Sequence, residues 1–249
     1  MKQRNKDVII KKVDLCQKFL NVFEFLLIRR GAPKMKKTDV IKVIQILKDY
    51  YPDATCSLDF KTPFQMVVAV MLSAQCTDER VNKTTPSLFE KYGTPEAISK
   101  MELTELEKII HPCGFFKNKA KNIKATAEKI LNEYDGAVPE SMDELMKLPG
   151  VGRKSANVIM LEAFNNPQGI AVDTHVKRIT NKMGLTKNAD PEKIEQDLLK
   201  CIPKEYYYDA NHLFVWHGRK ICVARSPKCS ECPVYEYCKN KENDKNRAS

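Results

Sequence analysis

The chain lacks an apolar run long enough to cross a bilayer. Its nearest approach, Phe19 to Ile28, is ten residues long and is broken by Asn21 and Glu24, whereas a spanning helix needs about twenty. A secretory leader is one alternative for that segment; an extra amphipathic helix ahead of Met35 is the other. Strand-like alternation of apolar and polar residues is also missing, which removes the signature of a half-buried sheet. No repeat of solenoid period recurs. Acidic residues are in deficit: 42 Lys and Arg face 32 Asp and Glu, a formal net charge of +10. Six of those ten charges fall in residues 1–34, where nine basic side chains meet three acidic ones. The rest of the chain is only mildly basic, so bulk charge alone does not assign a polyanionic partner.

What is present is helical period. With 249 residues, 43% hydrophobic and 30% charged, the chain suits one large or two small soluble domains. From Lys36 onward the apolar spacing predicts an all-α fold. Thr38 to Tyr50 places Val40, Ile41, Ile44 and Leu47 on one face. Pro63 opens Phe64 to Leu72, a segment apolar almost all round, which reads as a buried central helix. Further helices are predicted over Asp78 to Tyr92, Thr94 to Ser99, Leu103 to Ile110, Lys117 to Tyr134, Pro191 to Cys201 and Glu205 to Trp216. Gly93, Gly114 and Gly136 supply breaks or caps between them. After Cys222 periodicity stops, and Lys239 to Ser249 reads as a disordered polar tail.

Four local patterns carry chemistry. The first is Leu148-Pro149-Gly150-Val151-Gly152-Arg153-Lys154-Ser155-Ala156, between a short helix over Met142 to Lys147 and a second over Arg153 to Ala163. Gly150 and Gly152 permit backbone shapes closed to other residues, and the unpaired amides of the second helix favour an anion. Ala156 is small enough for the helices to pack closely. The pattern is a helix-hairpin-helix, a phosphate grip that reads no sequence; an ordinary glycine turn between core helices is the alternative. The second pattern is Lys154 itself. It sits in the first turn of that helix, where the dipole opposes an ammonium ion, and a neutral amine is what a nucleophile needs. A plain phosphate contact is the equal alternative on spacing alone.

The third pattern is Val172-Asp173-Thr174-His175-Val176, after the apolar run Gly169-Ile170-Ala171. On spacing, Asp173 reads first as a helix cap. The rival reading is a carboxylate able to deprotonate Lys154 or stabilise a developing cation. The fourth pattern, Cys222-x6-Cys229-x2-Cys232-x5-Cys238, is the most specific. Four thiolates can close around one tetrahedral ion or a cubane, and the long first gap without histidine fits structural zinc poorly. Nine cysteines is an odd number, which fits a metal site in a reducing compartment better than a disulfide scaffold. Arg225 and Lys228 fall inside the first loop, where a cluster presents basic side chains outward.

Taken together, in this order and at these separations, the four patterns resemble the endonuclease III family of the helix-hairpin-helix glycosylase superfamily. The likeness covers Lys36 to Lys241 and includes Leu72-Ser73-Ala74-Gln75 and Trp216-His217-Gly218-Arg219. It implies a six-helix barrel, residues 56–164 with the hairpin near 142–164, inserted into a cluster domain of residues 36–55 and 165–241. Residues 1–35 are then a basic extension, 242–249 a tail, and DNA lies in the cleft between the domains. Lys154 is implied as nucleophile, Asp173 as its carboxylate partner, and Cys222, Cys229, Cys232 and Cys238 as ligands of a [4Fe-4S] cluster. Gln75 matches the residue that fills the gap left by a flipped nucleotide. Phe115 stands where the family usually carries an aliphatic wedge.

The implied activity is a bifunctional DNA glycosylase and AP lyase of base-excision repair, acting on oxidised pyrimidines through a lysine Schiff base. The expected partner is double-stranded DNA with a damaged base or abasic site, bound by Gln75, Phe115, Gly150, Val151, Gly152, Arg153, Arg225 and Lys228. The expected setting is a monomer in the cytoplasm, on the nucleoid if the source is prokaryotic, without a membrane partner. Two rival readings are a monofunctional mismatch glycosylase of the same fold and a non-catalytic DNA-binding module. The pair Lys154 and Asp173 separates the lyase reading from both.

Overall fold

Threonine, aspartate and proline mark where the helices begin. Thr62, Thr77, Thr94 and Asp190 each stand at an N-cap, and their side-chain oxygens accept from the amides of Gln65, Arg80, Ala97 and Lys193. Each such cap is worth about 1 kcal/mol. Pro63, Pro95 and Pro191 occupy the first helical position, where a missing amide costs nothing.

The computed structural model describes residues 35–240; the basic extension, the Phe19 to Ile28 segment and the tail from 241 lie outside the described residues. Among the described residues there is no strand. The helices are α1 (Lys37–Tyr50), α2 (Pro63–Ser73), α3 (Asp78–Tyr92), α4 (Pro95–Lys100), α5 (Leu103–Ile110), α6 (Phe116–Glu133), α7 (Met142–Leu145), α8 (Arg153–Phe164), α9 (Thr174–Met183), α10 (Pro191–Cys201) and α11 (Tyr207–Lys220). The expected all-α architecture is what the described residues adopt. Boundaries differ from the periodicity mainly at α11, which starts after a 3-10 turn at Lys204–Tyr206 and runs on to Lys220. No described helix is long and apolar enough to cross a membrane.

Every residue of α2 from Phe64 to Leu72 is buried, as its all-round apolar character requires. Around it, against α8 among others, one continuous core gathers buried side chains from Phe64 to Met160. Its fringe of half-buried side chains runs from Cys56 to Phe164. In α1 the buried face is Val40, Val43, Ile44 and Leu47. Ile41 is only half-buried, because the i, i+3, i+4, i+7 stripe from Val40 leaves it at the edge. That stripe packs on α11, and Lys48 Nζ reaches Asp209 Oδ2 across the contact at 2.9 Å. The helix entering the cysteine-rich segment is thereby fixed from the N-terminal side.

Candidate functional site

The hairpin forms, but only one of its two glycines is needed for its backbone shape: Gly152, at φ −93° and with nothing within 4 Å of where a Cβ would stand, is in extended backbone open to any residue. Between α7 and α8 the Val151 amide donates to the Leu148 carbonyl at 3.1 Å, and Thr126 Oγ1 donates to the Pro149 carbonyl at 2.9 Å. Gly150 has φ +80°, where any other residue is strained, and a Cβ there would lie 2.8 Å from Asn122 Nδ2, which would have to shift. Leu148 and Val151 are buried and anchor the turn; what Val151 can offer a ligand is therefore its backbone. Gly152 is the N-cap of α8 and gives it no side-chain cap, leaving the opening amides to an outside acceptor.

Arg153 is placed differently from a simple phosphate contact. Its Nε donates to Glu195 Oε2 at 2.6 Å, and the Glu195 side chain is 3% exposed. That hydrogen bond is the chief reason the guanidinium is held even more firmly in its charged form. Asn157 Nδ2 donates to the other Glu195 oxygen at 2.8 Å. The first turn of α8 is thus tied to α10.

Lys154, the second residue of α8, is exposed and lines a cavity of about 130 Å³ shared with Asp173. Asp173 is the N-cap of α9, and its Oδ1 accepts from the Val176 amide at 2.7 Å. The extended run that delivers Asp173 is held by Asn211 of α11. Its Oδ1 accepts from the Ala171 amide at 2.8 Å, and its Nδ2 donates to the Gly169 carbonyl at 3.1 Å. Glu162 and His212 form the inner wall, with Oε1 and Nε2 3.1 Å apart and both side chains buried. The two atoms lie close together without the alignment of a hydrogen bond. On the outer wall Arg219 Nη2 pairs with Asp78 Oδ2 at 2.7 Å, and Trp216 Nε1 donates to the Thr55 carbonyl at 3.1 Å.

Asn211, Glu162 and His212 were missed by the sequence reading. Only Glu162 carried a signal: Lys154, Val158, Leu161 and Glu162 fall at the 4-7-8 spacing of one helix face. His175 packs where a Gly218 Cβ would lie, with its Nδ1 3.2 Å from Arg178 Nη2.

Gln75 and Phe115 share an unusual feature. Both are exposed, Phe115 to 66%, and both hold left-handed backbone, with φ of 54° and 46°. For a residue other than glycine that costs about 1 to 2 kcal/mol, and such strain clusters where a side chain must be presented.

The four cysteines at 222, 229, 232 and 238 line one cavity, walled by Ile179, Met183 and Ile221. Burial, with the charges of Cys222, Cys238 and Cys229 adding to it, pushes the Cys232 thiol up to about 11. Four thiolates in one apolar cavity require a cationic centre to offset that repulsion. His217 is fully buried, and burial pulls its pKa down to about 4, so the ring is neutral. Its Nε2 lies 3.6 Å from Cys232 Sγ and its Nδ1 3.1 Å from the Tyr51 hydroxyl. A ligating sulfur only accepts, so Nε2–H donates to it and Nδ1 accepts from Tyr51. An all-sulfur donor set, apolar walls and an N–H aimed at one sulfur fit an iron–sulfur cluster. Arg178 of α9 donates to the Cys222 carbonyl at 2.9 and 2.7 Å, joining the helix capped by Asp173 to the cluster loop. Arg225 and Lys228 are exposed on that loop, Lys228 lying 3.9 Å from Glu231.

The chain is similar to known proteins over most of its length. Residues 68–204 match the HhH-GPD superfamily of base excision DNA repair proteins, and residues 222–238 match the iron-sulfur binding domain of endonuclease III. The chain is 49% identical over 212 residues to endonuclease III of Synechocystis sp., spanning 85% of this chain and 96% of that protein. It is also similar to two solved structures, a non-covalent endonuclease III–DNA complex and a trapped endonuclease III–DNA covalent intermediate. Each has a TM-score of 0.79 at 42% identity, over 84% of this chain and 98% of the other.

Proposed function

The chain belongs to the endonuclease III family of the HhH-GPD superfamily, and on that premise we propose that it excises oxidised pyrimidines from duplex DNA through Lys154. The enzyme is a bifunctional DNA glycosylase and AP lyase of base-excision repair, with an iron–sulfur domain. The observation that carries the assignment of Lys154 is its sharing of one cavity with Asp173.

The reaction follows from those two side chains. C1′ is unreachable in a stacked duplex, so the damaged nucleotide first leaves the stack. Gln75 and Phe115 occupy the space it vacates. Asp173 takes a proton from the Lys154 ammonium, passes it to the departing base, and as the carboxylate so regenerated stabilises positive character on the sugar. The Lys154 amine bonds to C1′, and the glycosidic bond breaks with its electron pair leaving on the base. Ring opening gives a Schiff base between Nζ and C1′, which makes the C2′ proton acidic. Its removal expels the 3′ phosphate and cuts the strand by β-elimination. The bound cluster supplies cross-linking that shapes its loop. Arg225 and Lys228 on that loop, with the amides at Gly150, Gly152 and Arg153, hold backbone phosphates on either side of the lesion.

We also assign residues 56–164 to a barrel domain and residues 36–55 with 165–241 to a cluster domain, supported by the continuous core from Phe64 to Met160. The enzyme works as a monomer in the cytoplasm. Duplexes carrying one oxidised pyrimidine, one oxidised purine or one mismatched adenine test the reading. Base release with strand cleavage is expected on the first. Release without cleavage, or preference for the mismatched adenine, would overturn it.

A further inference from the structure

Lys119 lies in the first turn of α6, where the helix dipole disfavours a cation, and it is only 7% exposed. Burial pushes its pKa down, with the thiols of Cys76 and Cys113 opposing that shift. A buried ammonium persists only when it is hydrogen-bonded, and this one donates twice. Nζ lies 2.8 Å from the Leu72 carbonyl and 2.9 Å from the Cys113 carbonyl. Leu72 belongs to the last turn of α2, whose carbonyls lack partners within the helix. Cys113 ends the 3-10 turn His111–Cys113, just before Gly114.

Each acceptor stands just upstream of an exposed residue in left-handed backbone. Leu72 leads into Ser73-Ala74-Gln75, and Cys113 into Gly114-Phe115. One ammonium therefore joins two turns that are far apart in sequence, Leu72 being 47 positions from Lys119. Charge-assisted bonds are the stronger kind, and a single nitrogen with three donors can hold both carbonyls at a fixed separation. Strained conformations persist only where the surroundings over-determine them, and here one side chain braces both.

We propose that Lys119 is a positioning residue that fixes the spacing of the Gln75 and Phe115 turns, so that the two side chains enter the duplex in register. The inference rests on the reading of Gln75 and Phe115 as the pair that fills the gap beside the flipped nucleotide. Without the brace each probe keeps its own chemistry but must be ordered on binding, and that ordering cost falls on damaged sites, where both probes engage.

The test is a double-mutant cycle on the cluster-loaded enzyme, read as the ratio of affinities for a duplex with a stable abasic analogue and an undamaged duplex. Gln75→Ala and Phe115→Ala should each lower that ratio, and Lys119→Met should lower it about tenfold. Lys119→Met placed on the Gln75→Ala/Phe115→Ala background should add less than about twofold, because with both probes truncated the brace has little left to position. A general loss of structure would multiply the two effects. Lys119→Gln, which keeps a donor, should move the ratio in the same direction by less and serves if Lys119→Met fails to fold. A ratio unchanged by both Lys119 variants, or fully multiplicative losses, would overturn the proposal. Silent Gln75→Ala and Phe115→Ala variants would overturn the probe assignment, and the brace with it.

Discussion

Asp173 and Lys154 line the same cavity while Asp173 also caps α9 through the Val176 amide. A carboxylate has two oxygens, so capping through Oδ1 is compatible with chemistry through Oδ2. The cap also does positional work. It pins the carboxylate at the start of a helix whose middle residue Arg178 grips the cluster loop, so one helix ties the cavity to that loop.

Asparagine caps helices about as well as aspartate, which lets the two roles of Asp173 be separated. Asp173→Asn should keep its melting temperature within the range of a surface substitution and lose roughly 10²- to 10⁴-fold in single-turnover base release. Asp173→Ala should lose the rate and, in addition, about 1 kcal/mol of stability with the cap. Equal rates for Asn and wild type would reduce Asp173 to a structural residue.

The all-cysteine cavity predicts iron and sulfide in the isolated protein. Cys229→Ser should lower the iron content and yield less soluble chain, since ligand bonding contributes directly to local folding. One equivalent of zinc without iron or sulfide, measured by elemental analysis, would contradict the cluster assignment.

Much of this arrangement is legible in the sequence because it is local. The all-round apolar run of α2, the Gly150 turn and the 6-2-5 cysteine spacing each fix their geometry within a few residues. What was hidden depends on tertiary pairing. Nothing near Arg153 announces that Glu195 will hold it, and nothing near Lys119 announces the Leu72 carbonyl. Asn211, Glu162 and His212 likewise meet the site only once α8 and α11 pack around it. Asp173 is the instructive case: cap and catalytic carboxylate are rivals on spacing, whereas in the fold the capping side chain also lines the cavity that holds Lys154, so the two readings are compatible.

Backbone phosphates held by the cluster loop predict steep salt dependence. Arg225→Ala with Lys228→Ala should reduce the log–log slope of affinity against salt by about 1 to 2. Because Lys228 lies near Glu231, the Arg225 single variant should account for the larger share. An unchanged slope, from fluorescence anisotropy across salt, would move the phosphate grip elsewhere.

The residues assigned to chemistry all follow Met35. A chain beginning at Met35 should therefore fold, keep its cluster and retain its single-turnover rate at saturating enzyme. Its affinity at low salt should fall severalfold, with the deficit shrinking as salt rises, because screening removes what a basic extension contributes. A large fall in the single-turnover rate would contradict this division of labour.

The central claim is that Lys154 forms the covalent bond to DNA, and borohydride trapping tests it most directly. Reduction during turnover on an oxidised-pyrimidine duplex should yield a protein–DNA adduct, with the added mass on the peptide containing Lys154. Lys154→Gln should yield none while keeping lesion affinity within about tenfold, since one lost phosphate contact costs little. Undiminished trapping by Lys154→Gln, or an adduct mapped to another residue, would contradict the account.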